Sequence, residues 1–107
     1  MFKEVTIGDK EIEMLANGAT PFWFRQVFSE DFFTEVQATD DGKTVELFTK
    51  VGFIMAKQAK GADMKKVNVG QFMKWLEDFA PMDFPDAVPA IVDLYMSQTK
   101  ETSKPKK

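Results

Sequence analysis

Six aromatic side chains, Phe22, Trp23, Phe24, Phe28, Phe32 and Phe33, fall within the run Pro21-Phe22-Trp23-Phe24-Arg25-Gln26-Val27-Phe28-Ser29-Glu30-Asp31-Phe32-Phe33. Each ring can bury roughly 150–250 Å², so the run can withdraw on the order of 1,000 Å² from water, a gross driving force of roughly 25 kcal/mol. One short helix cannot bury that area on itself. Either the rest of the chain wraps this segment, or part of it is kept for a partner.

The chain has 107 residues, the size of one domain with a single core. Its pI is near 4.9 and its net charge −3, a balance that disfavours non-specific binding to nucleic acid or an anionic membrane. Lys100, Lys104, Lys106 and Lys107 crowd the last eight residues, which leaves the body before them more acidic. Cysteine and histidine are absent. Disulfides, thiolate chemistry, imidazole proton shuttles and the commonest metal ligands are therefore excluded. The N-terminal Met-Phe-Lys-Glu-Val-Thr lacks the apolar core of a signal peptide, and no run is long enough to span a membrane. The chain reads as intracellular.

Phe2, Val5 and Ile7, then Gly8-Asp9-Lys10, then Ile12, Met14 and Leu15 predict a strand–turn–strand hairpin, with Glu11 and Glu13 alternating outward. A two-stranded hairpin needs a helix to pack on. Thr20 as N-cap and Pro21 in the first turn predict a helix to Phe28. Ser29-Glu30-Asp31 offers a second N-cap, for a segment directing Phe32, Phe33 and Val36 inward, and Asp40-Asp41-Gly42 reads as a loop. Leu47, Phe48, Val51, Ile54 and Met55 predict a helix from after Thr44 to about Lys60, stopped by Gly61. Asn68 with Gln71 resembles a capping box, ahead of a Phe72, Trp75, Leu76 and Phe79 stripe closed by Pro81. Asp86 as N-cap would put Pro89 in the first turn of a last helix, with Val88, Ile91, Val92 and Tyr95 inward. The expected class is mainly α (α+β): an N-terminal β-hairpin followed by four or five short helices in one compact domain over 1–99, with 100–107 a disordered basic tail.

Catalytic parts are missing. The carboxylate groups Glu30/Asp31, Asp40/Asp41, Glu77/Asp78 and Asp83/Asp86 sit where they serve helix ends and loops. Asp40-Asp41-Gly42 lacks the ligand spacing of a calcium loop, and no glycine-rich phosphate cradle occurs. No enzyme activity, cofactor or metal site is expected. What stands out is apolar: seven Met and fourteen aromatics, counted as Phe 11, Trp 2 and Tyr 1. Most of these belong in a core. Methionine also adapts to varied partners, which makes Met55, Met64, Met73, Met82 and Met96 surface candidates. Arg25, the only arginine, would hold a carboxylate such as Asp31 or stack on a ring. The residues selected for partner contact are Trp23, Arg25, Met64, Phe72, Met73 and Met82.

The hairpin, followed by Ala19-Thr20-Pro21-Phe22-Trp23-Phe24-Arg25 and then Phe28-Ser29-Glu30-Asp31-Phe32-Phe33, resembles the tail assembly chaperones of long-tailed phages and prophages of Gram-positive bacteria. That family typically reads small residue, Thr, Pro, apolar, aromatic and Arg, then Phe and an acidic helix start. Leu47-Phe48 and Phe53-Ile54-Met55-Ala56 are similar to its second block. The likeness covers roughly residues 1–60; Trp23-Phe24 departs from the Ile or Arg with Tyr common there. The resemblance implies a chaperone in the host cytoplasm, absent from the mature virion, that keeps the tape-measure protein soluble until the tail tube polymerises. It also implies tape-measure and tail tube proteins as partners, possible self-association, and a longer form made by frameshifting near the gene's end. Neither nucleic acid nor membrane is an expected partner. The alternative class is an intracellular adaptor or regulatory module, antitoxin-like or anti-repressor-like, using the same Met/Phe-rich groove. A third reading, an enzyme working with carboxylates alone, requires two converging, strongly perturbed acids in a cleft.

Overall fold

A computed structural model describes residues 2–37 and 41–103. Strands β1 (Phe2–Ile7) and β2 (Lys10–Leu15) form an antiparallel hairpin, paired from Phe2 opposite Leu15 to Ile7 opposite Lys10. Gly8 has φ +65° while Asp9 keeps a negative φ, the pattern of a type II′ turn. A side chain at Gly8 would also strike Asp83, whose Oδ2 would lie 2.5 Å from the added Cβ. Val5, Ile7 and Met14 point inward, and Glu4, Thr6, Glu11 and Glu13 are exposed. The period of two was legible from the sequence, and the structure keeps it.

Five α-helices follow among the described residues: α1 (Thr20–Phe28), α2 (Phe32–Gln37), α3 (Asp41–Ala59), α4 (Val69–Leu76) and α5 (Asp83–Ser103). A 3-10 turn, Met64–Lys66, lies between α3 and α4. The expected class of hairpin plus short helices stands.

Helix α3 is the axis of the fold. It packs on β2, α5, α1, α2 and α4, and its six residues from Val51 to Ala56 are all buried. Gly52 lets α5 come close. A Cβ there would lie 3.1 Å from Ile91 Cδ1 and 3.4 Å from Met14 Cε. Gly61, with φ +71°, stops α3 as expected; Gly61 N–H donates to the Gln58 carbonyl and Ala62 N–H to that of Lys57. This pair of bonds is the Schellman arrangement.

The aromatic run is split by helix geometry. Phe24 and Phe32 are buried, Trp23 and Phe28 half-buried, and Phe22 and Phe33 exposed. Successive helical residues turn by about 100°, so Phe22 lies nearly opposite Phe24, and Phe33 a quarter-turn from Phe32. Phe33, expected inward, is therefore corrected to the surface, and so is Val36, which shares the face of Phe32 but is exposed near the end of α2. Eleven rings form one connected cluster, from Tyr95 through Phe32, Phe24 and Phe28 to Phe53, Phe72, Trp75 and Phe84.

Several local expectations change. Thr20 is not a cap: Ala19 holds that position, without a side-chain bond. The buried Thr20 hydroxyl accepts from Asn17 N–H at 3.0 Å and donates to Gln58 Oε1 at 2.8 Å, while Gln58 Nε2 donates to Asn17 Oδ1 at 3.2 Å. This polar corner ties the end of the hairpin to α3. Ser29, with φ 57°, closes α1 instead of opening α2. Asp31 opens α2, its Oδ2 accepting from the Thr34 N–H at 3.1 Å and from the Thr34 hydroxyl at 2.7 Å.

Asp41 and Gly42, expected in a loop, begin α3, whereas Asp40 lies outside the described residues. Helix α4 ends at Leu76, well before Pro81. Helix α5 starts at Asp83, a turn earlier than Asp86, so Pro89 falls inside it. Pro89 is exposed, and it lacks the N–H that would serve the Pro85 carbonyl one turn back. The backbone of α5 runs to Ser103, so the first four residues assigned to the tail, Lys100–Ser103, are helical. Lys104 to Lys107 lie outside the described residues.

Candidate functional site

A shallow groove of about 410 Å³ runs between α4 and the junction of α1 with α3. Phe28, Val69, Phe72, Met73 and Leu76 give it an apolar floor and wall, with Glu46, Thr49 and Lys50 on the other side. Phe72 is its base. Its ring centroid lies 5.1 Å from Phe28 and 5.3 Å from Phe53, both in the edge-on geometry favourable for aromatic pairs.

Helix α4 presents this wall because its start is well defined. Asn68 Oδ1 accepts from Gln71 N–H at 2.9 Å, the forward half of the expected capping box. From there Phe72 turns inward while Val69 and Met73 stay 47% and 53% exposed. Exposed apolar side chains become informative when they line one depression rather than scatter singly.

The polar groups along the groove are already engaged. Lys50 Nζ pairs with Glu30 Oε1 at 3.0 Å and Glu46 Oε2 at 3.4 Å, and lies 5.4 Å from the centre of the Phe28 ring. The Thr49 hydroxyl donates to the Val45 carbonyl at 2.6 Å. A ligand would thus meet mainly carbon, with ions at the edge that are satisfied within the chain. This surface suits the apolar stripe of a helix.

The residues selected from sequence do not form one site. Phe72 and Met73 meet in the groove. Phe72 is 7% exposed, however, and supports the site from beneath more than it offers contact area. Met64 is corrected to the core at 7% exposure, because the 3-10 turn draws it and Val67 inward. Trp23 is half-buried on α1. Arg25 is exposed beside Phe22, Gln26 and Ser29. Met82 is exposed in the turn before α5. Of the other methionines, Met55 is fully buried and Met96 is on the surface.

Sequence reasoning missed Phe28, Val69 and Leu76. Val69, Met73 and Leu76 recur at i, i+4 and i+7, a second apolar stripe beside Phe72 and Trp75, and that spacing was the available signal.

Perturbed acids do not converge. Asp31 is held below the usual carboxylate range first by the Thr34 hydroxyl, then by the Thr34 N–H, with Arg25 the smallest influence. Glu4 is raised by sharing a hydrogen bond with Glu11 and by the charges of Glu11 and Glu13, all on the exposed face of the hairpin. One acid caps a helix and the other stands in a crowded strand pair. Among the described residues, no group of three Asp or Glu side chains is placed to hold a metal ion, and no helix is long and apolar enough to cross a membrane. No protein-family model, curated protein or solved structure matches the chain.

Proposed function

We propose that the protein is a tail assembly chaperone of a long-tailed phage or prophage, which binds apolar helical stripes of the tape-measure protein in the groove between α4 and the α1–α3 junction. The observation that carries the reading is the groove itself: Phe28, Val69, Met73 and Leu76 are gathered in one depression whose neighbouring polar groups are bonded within the chain. The identity of the partner rests on the resemblance of the segment from Ala19 to Phe33.

The physical requirement is modest. A long tape-measure helix carries apolar stripes that aggregate when uncovered, and a small domain can cover them reversibly by helix-in-groove contact. A shallow groove favours many weak engagements over one tight one. Displacement by polymerising tube subunits needs the same weakness.

The test is co-expression with the long helical protein encoded nearby, followed by pull-down and measurement of the soluble fraction. Wild type should co-purify in several copies per partner and keep it soluble. Met73→Glu should abolish both effects while shifting stability by no more than about 0.5 kcal/mol, as expected at an exposed position. A partner equally soluble with either version would refute the groove as the binding surface. A partner insoluble with both would refute the chaperone reading.

A further inference from the structure

The walls of the groove differ in kind. One belongs to α1 and α3, anchored by fully buried Phe24, Phe53, Ile54 and Met55. The other is α4, eight residues long with Phe72 as its only buried side chain and Trp75 and Leu76 half-buried. Isolated helices shorter than about 12–15 residues are marginal in water, so α4 depends on those few contacts.

The chain on either side defines a unit. Val67 is buried and fixes the chain just before Asn68, whose backbone is extended at φ −146° and ψ 173°. After α4, Glu77 and Asp78 are exposed, Phe79 is half-buried against Trp75 and Phe84, and Ala80, Pro81 and Met82 are exposed before α5 begins. Beneath α4 lie Phe28 and Phe53, which Phe72 and Trp75 touch, and Trp75 also meets Phe84 of α5, a contact that gives way when α4 moves.

We infer that α4 is a movable wall: it swings away from α3 about Asn68 and the turn before Asp83 while the rest of the fold stays closed, widening the groove onto Phe28 and Phe53. Segments with few buried contacts open at lower free energy than the whole domain. The groove then takes apolar stripes of differing bulk, as an irregular helical partner requires. The inference rests on the groove reading above, but its test uses the protein alone, so either can fail without the other.

The experiment is native-state hydrogen exchange on the full chain, read by mass spectrometry across low denaturant concentrations. Amides of Phe72 to Leu76 should exchange at least about a hundredfold faster than those of Phe53 to Met55, with little dependence on denaturant, as local opening requires. Exchange of both segments in one denaturant-dependent event would overturn the inference.

A second measurement uses Gly70→Ala, an exposed position where the added Cβ meets only Asn68 Oδ1, at 3.1 Å. Better helix propensity and crowding of the Asn68 cap act in opposite senses, so exchange in α4 should change, in one direction or the other, by up to about fivefold while α3 stays unchanged. An equal change in both segments would contradict a separately opening wall.

Discussion

Helices α3 and α4 are both rich in apolar residues and both touch the same ring cluster, yet they stand in opposite relations to solvent. From Val51 to Ala56, α3 is buried on every side, because the hairpin, α1 and α5 surround it. Helix α4 is apolar on two faces with a neighbour on only one. Phe72 and Trp75 turn toward Phe53, and Val69 and Met73 face outward. Hydrophobicity alone does not distinguish a core helix from one left with an uncovered apolar face. The number of elements available to cover it does.

The sharpest way to break the comparison is to truncate one ring in each helix. Phe53 is fully buried and contacts Phe28, Phe72 and Trp75. Phe53→Ala should cost about 3–5 kcal/mol, out of a total that for such a domain is roughly 5–15 kcal/mol. Thermal denaturation should show a large drop in Tm with loss of cooperativity.

Phe72→Ala removes a ring of the same size but from a detachable element. Its global cost is capped by the free energy that docks α4, so Tm should fall by clearly less than in Phe53→Ala. Amides of α3 should keep near-native protection while those of α4 lose it. Equal losses of Tm and of α3 protection in the two variants would merge the helices into one cooperative unit.

A smaller effect isolates the start of α4. Asn68 is exposed and accepts from Gln71 N–H, so Asn68→Ala removes a cap worth about 1 kcal/mol. Opening of α4 should rise about fivefold, read as faster exchange from Phe72 to Leu76, with the Thr20–Gln58 corner and α3 unaffected. Faster exchange throughout the chain would show that the cap supports the whole fold.

The legibility of these features followed the number of neighbours involved. Alternation in β2, the Leu47–Met55 stripe, the Gly61 stop and the Asn68 cap depend on one element and its own backbone, and each was readable from the sequence. Thr20 misled because a threonine before proline looks like a cap, whereas its hydroxyl is engaged by Asn17 and by Gln58, distant in sequence. Met64 misled because loop methionines are often exposed, yet a single 3-10 turn carries this one into the core. The groove was half legible. Phe72 and Met73 were chosen, but Phe28 joins them only because the left-handed Ser29 ends α1 beside α4, and a long-range juxtaposition of that kind leaves no local pattern.

The last contrast concerns the far end of the ring cluster and vanishes at neutral pH. Tyr95, the only tyrosine in the chain, is 4% exposed on α5, with its ring centroid 4.9 Å from that of Phe32 and 6.3 Å from that of Phe48. Burial pushes its phenol up from the ordinary 10.0 to about 12. Between those values the folded state holds the proton that the unfolded state has released, so stability is complete below about pH 10 and falls as pH rises toward 12. Because no other tyrosine contributes, the ultraviolet phenolate band reports this residue alone. Its native midpoint should sit near 12 and its denatured midpoint near 10. Tyr95→Phe should remove the alkaline slope in denaturant unfolding. A native midpoint near 10 would mean that this end of the cluster opens to water as readily as α4 is inferred to, and the distinction between a fixed axis and a movable wall would have to be redrawn.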